Sequence, residues 1–152
     1  MALNIEGILD AAISHASASG YLDEVNGHEA IHPSVSGGVT AGVWVDRVTP
    51  IRSSGLNSVS ALVVLNVRLY TSAQQLPLDA IDPNMVAAVD ALCAAYVGDF
   101  TLGGLVRSVD VFGSNGQALD VRAGYLPQDG ALQRVMTIWL PCIVNDLWEE
   151  VA

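Results

Sequence analysis

A chain of 152 residues fits one domain, and at that length roughly 68–70% of the unfolded surface can be buried without help from disulfides or metal. Hydrophobic residues make up 51% and charged residues 14%, against about 25% charged in an ordinary soluble domain, so the apolar excess serves either a well-filled core or surface buried between subunits. Sixteen acids stand against six basic residues, all arginine; the formal charge of −10 argues against nucleic-acid binding, which draws its affinity from Lys and Arg on phosphates.

Residues 3–18 have helical period: Ile5, Ile8, Leu9, Ala12, Ile13 and Ala16 share a stripe, Glu6, Asp10, Ser14 and Ser17 lie off it, and Gly20 is a plausible stop. Residues 21–38, rich in Gly, Ser and Asn, read as loop. The period then becomes two. Val39, Ala41, Val43 and Val45 alternate with Thr40, Gly42, Trp44 and Asp46 to predict a strand over 39–46. A longer strand is predicted over 58–70, apolar on both faces at Leu62 and Val64 and therefore central and covered on both sides there. The link 49–57 is long for a hairpin and carries Ile51 and Leu56 where loops are normally polar.

Residues 82–97 give the clearest helix. Asp82 suits the N-cap, Pro83 the first helical position, and Gly98 the end. Met85, Val86, Val89, Leu92, Cys93 and Tyr96 form the expected core stripe; Ala87, Ala88, Ala91, Ala94 and Ala95 lie opposite, with Asp90 the single charge. That alanine face either meets a second subunit or is an inert surface built from the best helix former. Strands are then predicted over 105–112, 117–124 and 132–140, separated by turns at 113–116 and 127–130 and limited by Pro141, before an acidic tail over 145–150. The order α-β-β-α-β-β-β predicts an α+β domain over 1–152, with a mainly antiparallel sheet of about five strands and two helices.

The opening residues show no basic, apolar leader, and no run of 18 apolar residues suggests a membrane span. Cys93 and Cys142 sit in apolar stretches with no metal spacing and read as reduced core thiols. One pattern has catalytic form: His28-Glu29-Ala30-Ile31-His32 matches H-E-x-x-H. Zinc chemistry needs those residues on a helix, where positions i and i+4 grip one ion. Gly27 precedes the pattern and Pro33 follows it, pushing the second histidine out of helical backbone. Of possible third ligands, His15 lies on the first helix and the next glutamate is Glu149. No phosphate loop, nucleophile elbow or dinucleotide fingerprint occurs, so no catalytic residue, metal or cofactor is expected.

Several stretches, taken in order, resemble one family. They are 25–29 (VNGHE), 38–45 (GVTAGVWV), 79–83 (DAIDP), 88–92 (AVDAL), 98–104 (GDFTLGG), 123–130 (AGYLPQDG), 134–137 (RVMT) and 144–148 (VNDLW). Over residues 21–148 the chain resembles the tail terminators of long-tailed phages of high-GC actinobacterial hosts, similar in role to the lambda-type terminator. That family often has a proline directly after the His-Glu pair, where this chain has Ala30. The resemblance implies a structural virion protein at the neck-proximal end of the tail, assembled in the host cytoplasm. It implies a homohexameric ring that caps the tail tube, stops tube polymerisation and offers a surface to the head-tail connector. Six copies of −10 give roughly −60, which would let genomic DNA pass without sticking if the lumen shares that sign. The interface candidates are Ile51, Arg52 and Leu56 in the link and Ala87, Ala91 and Ala95 on the helix. A neighbouring connector ring, a metalloenzyme using His28, Glu29 and His32, and a monomeric ligand-binding module are the other readings.

Overall fold

The computed structural model describes residues 2–30, 38–52 and 57–150. The two periods in the sequence become two layers. The helices α1 (Ile5–Ala18) and α2 (Ile81–Gly98) cover one face of a sheet built from β1 (Glu24–Asn26), β2 (Thr40–Ile51), β3 (Ser58–Ser72), β4 (Ser108–Val109), β5 (Asp120–Gln128) and β6 (Ala131–Glu149). The sheet runs β1-β2-β3-β6-β4, with β5 also paired to β6. Every pairing is antiparallel except β1 with β2. The class is α+β with two helices and a mainly antiparallel sheet, as the sequence predicts, and the described residues form six strands.

The core lies between helices and sheet. Ala61, Val63, Leu65, Val67 and Leu69 of β3 meet Ile8, Ala12 and Ala16 of α1 and Met85, Leu92 and Tyr96 of α2, all fully buried. Each large side chain among them stabilises the fold by about 1.5–3 kcal/mol relative to exposure. On the reverse face Leu62, Val64 and Ile143 form a second buried cluster against Ile51 and Trp139. This is the two-sided cover that the apolar middle of β3 predicts.

Several boundaries differ from the sequence expectation, each for a local reason. β1 lies inside the stretch read as loop; three residues are too few to show alternation, and the strand is held by the Asp23 amide donating to Val39 at 2.8 Å. β2 does not stop at Asp46. A bulge there shifts the register between Val45 and Arg47, and pairing continues to Ile51↔Ser60. The expected strand over 105–112 shrinks to Ser108–Val109. Its neighbours fold back on themselves instead, with Val106 N donating to Thr101 O and Val109 N to Phe100 O. β5 starts at Asp120 and runs to Gln128, and the turn into β6 narrows to Asp129-Gly130. Both turn residues have positive φ, +50° and +79°, as a two-residue hairpin of this hand requires.

Pro141 does not limit β6, which runs on through the acidic tail to Glu149. The Pro141 carbonyl accepts from Asp110 N at 2.9 Å, so its ring nitrogen faces that same outer edge. There β5 has already ended, at Asp120↔Trp139, and β4 starts only at Val109↔Cys142. The missing donor therefore falls in a gap, and the ladder to β3 loses nothing.

α2 also departs from its expected start and stripe. A 3-10 turn at Leu78–Ala80 leads into it and Ala80 is the N-cap, so Asp82 is not the cap. The Asp82 carboxylate instead takes the Arg134 guanidinium through Nε at 2.9 Å and Nη2 at 3.2 Å. Val86 is not core but 52% exposed, and Ala88, expected opposite, is buried. Leu78–Gly98 is long and apolar enough to span a bilayer, contrary to the sequence expectation; here Ile81, Met85, Ala88, Val89, Leu92 and Tyr96 bury one side of it against sheet and α1.

Candidate assembly surface

Two polar contacts clasp the helices. The Tyr96 hydroxyl, fully buried, donates to the Ala12 carbonyl at 2.9 Å. His15 Nε2 lies 2.8 Å from Asp99 Oδ2, and the His15 ring meets Tyr96 edge-on at 5.8 Å. The hydrogen bond from His15, with a second from the Gly103 amide, holds the Asp99 carboxyl below its ordinary value. Burial pushes the Tyr96 phenol and the Cys93 thiol up, and the Cys142 thiol up to about 12. Cys142 is buried and Cys93 half-buried, both free.

The described part of the H-E-x-x-H segment, residues 28–30, lies over the reverse face of the sheet in non-helical backbone. The His28 carbonyl sits so close over Gly42 that a side chain at that position would strike it. Glu29 turns its carboxylate to Arg68 Nη1 at 3.3 Å, and Gln128 Nε2 donates to the Ala30 carbonyl at 2.9 Å. Arg68 also donates to Thr137 Oγ1 at 2.8 Å and stacks over Trp44 at 5.2 Å. The segment is thus pinned across β2, β3 and β5. His28 is exposed, with Nδ1 3.0 Å from the Glu29 carbonyl, while Ile31, His32 and Pro33 lie outside the described residues. Among the described residues no three His, Cys, Asp or Glu side chains converge as a metal site would need.

The surface offers more apolar area than a polar shell would. Phe112 is 93% exposed, at the tip of a turn that Asp110 fixes from below: the nearly buried carboxylate accepts from the Ser114 and Asn115 amides at 3.0 and 2.9 Å. Leu76, Leu78, Phe100 and Tyr125 are also more than half exposed. On α2 the outward stripe is Val86, Asp90, Ala94 and Val97.

The six interface candidates fall in two places. Ile51 ends β2 and is half-buried against Leu62, Val64 and Ile143; Arg52 follows it and is exposed; Leu56 lies outside the described residues. Ala87, Ala91 and Ala95 flank the outward stripe of α2 and are half-buried. The structure does not bring the two groups together within one copy, since α2 packs on α1, β3 and β6. Arg47, Val48, Val86 and Val97 are not among the candidates that the sequence offers, and Val86 reads there as core. An exposed valine on a helix is indistinguishable from a core valine until the true buried stripe is known.

These features define an α+β protein whose helices cover one sheet face and whose outer surfaces carry apolar groups in solvent. No family model matches the chain, and no curated protein does. Among solved structures, a chain of the virion of native gene transfer agent particle aligns with it at a TM-score of 0.41 and 12% identity, covering 93% of this chain and 98% of that chain.

Proposed function

We propose that this chain is a structural protein of a phage virion, a tail terminator that closes the head-proximal end of the tail tube as a hexameric ring. The observation that carries the proposal is the ordered set of sequence stretches between residues 25 and 148 that resembles that family. The exposed Phe112, Leu76, Val86 and Val97 leave large apolar side chains that a partner could cover. In this role the protein halts tube growth by occupying the last ring of subunits and presents its opposite side to the connector. It acts by surface and not by turnover. Its partners are five further copies, the tube protein and the connector. The genome passes through an acidic ring that repels it.

Native mass measured over a concentration series, alone and with the tube protein of the same phage, tests the proposal. The expected result is a sixfold mass, alone or on tube ends, and tubes of arrested length by electron microscopy. A monomer under both conditions, or tubes that keep growing in its presence, would sink it. A ring that binds only the portal side would reassign it to the connector.

A further inference from the structure

Three of the six arginines are paired within the chain: Arg68 with Glu29, Arg122 with Asp120 and Arg134 with Asp82. Arg107 also has an internal partner. Among the described residues Arg47 and Arg52 form no ion pair, and both are exposed, Arg47 on the last stretch of β2 and Arg52 directly after it. Val48 between them is 43% exposed. Among the described residues no strand pairs with the outer edge of this stretch, because β1 pairs with β2 only as far as Asn26↔Gly42. A molecule of net charge −10 thus keeps its free positive charge in one short, partly apolar arm.

α2 carries the complement. Its outward stripe sets Asp90, which forms no ion pair among the described residues, between Val86 at 52% and Val97 at 43% exposure. α1 also has acids outward, Glu6 and Asp10, but its exposed side continues as Ser14 and Ser17 and is satisfied by water. The lengths agree as well. From Arg47 to Arg52 an extended chain covers about 16 Å, and from Val86 to Val97 a helix covers about 16 Å.

We infer that the Arg47–Arg52 arm of one copy lies along the Val86–Asp90–Val97 stripe of α2 in the next copy. The contact is head-to-tail, so repetition continues past a dimer and, with a rotation that closes, makes a ring. A twofold arm-to-arm contact would set Arg47 and Arg52 of both copies against each other, which like charges oppose. The inference rests on the ring proposed above and names the two surfaces that build it.

Paired cysteines at Val48 and Ala94 test it, in a Cys93→Ser background under mild oxidation. The double variant V48C/A94C should give a ladder of cross-linked oligomers up to six on a denaturing gel, and neither single variant should. A dimer from V48C alone would overturn the head-to-tail contact in favour of a twofold one. Charge reversal supplies a second readout: Arg47→Glu with Arg52→Glu should remove the assembled species, Asp90→Arg should do the same, and the three changes together should restore it. If wild-type protein assembles while these variants assemble equally well and no ladder forms, the contact is wrong and the ring survives. If wild-type protein stays monomeric with and without tube protein, the ring itself fails and the contact with it.

Discussion

Replacing Tyr96 with Phe isolates a single bond in the helix clasp. The ring stays, so its packing in the core among Ile8, Ala12 and Leu92 is kept; only the hydroxyl that donates to the Ala12 carbonyl at 2.9 Å is removed. α1 itself buries just Ile8, Ala12 and Ala16, two of them alanines, so polar contacts with α2 form a large share of its attachment. A neutral hydrogen bond of this kind contributes about 0.5–1.5 kcal/mol net. The Ala12 carbonyl loses its side-chain donor but keeps its helical position, so the loss should fall near ~1 kcal/mol and no higher. With a urea slope of ~2 kcal/mol per molar, the midpoint moves down by about 0.5 M. In a thermal scan the same loss lowers Tm by about 2–4 °C for a chain of this size. Urea unfolding followed by tryptophan fluorescence, with an unchanged slope, is the assay. An unchanged midpoint would mean that the hydroxyl does not hold α1, and a loss beyond ~3 kcal/mol would mean that the ring does not stay in place without it.

Asp99→Asn should remove part of the acid sensitivity of the native state. The Asp99 carboxyl is held below its ordinary value of 3.8 chiefly by His15, so its contribution is complete above that value and fades as pH falls through the lower folded value. Stability measured between pH 5 and 2 should therefore drop less steeply in the variant, and parallel curves would refute the coupling. Asp110→Ala should cost ~2–3 kcal/mol, because a carboxylate accepting two amides is lost, and amide exchange at Ser114 and Asn115 should rise while Phe112 stays in solvent. Cys142, buried with its thiol pushed up to about 12, should resist iodoacetamide at pH 8 until the protein unfolds, whereas Cys93 should react slowly in the native state. Mass spectrometry of labelled peptides reads this directly, and early labelling of Cys142 would contradict its burial.

Helix period and strand alternation made most of the architecture readable from the residues. α1, α2 and the two-sided β3 were all visible as local patterns, because each repeats its signal several times. What was hidden depended on partners far away in sequence. Asp82 has every local mark of an N-cap, yet Arg134, 52 positions on, takes its carboxylate. The bulge at Asp46 reverses the phase of alternation, so the half of β2 that carries Arg47 and Val48 looked like the start of a loop. Pro141 looked like a stop because no local rule tells which edge of a strand its nitrogen will face. Of the candidate surface, Arg52 and the misplaced Ile51 were legible from polarity alone. The outward stripe of α2 was not, since its three apolar positions, Val86, Ala94 and Val97, can be sorted from the inward ones only once the sheet is in place.

β6 touches every other strand of the sheet except β1 and β2: β3 lies along one edge, β4 and β5 along the other. It is also the last strand in chain order. On the ribosome, then, β3 waits with its inner edge bare and β4 and β5 have nothing to pair with until the final element emerges. Until then the nascent sheet can pair only β1, β2 and β3, with α1 and α2 to cover it. Folding must wait for pairings of long sequence separation, which are slow to form and leave an apolar strand edge open in the meantime. In the proposed ring, keeping this central strand until after β1–β5 delays any assembly surface built on the sheet until β6 has been made.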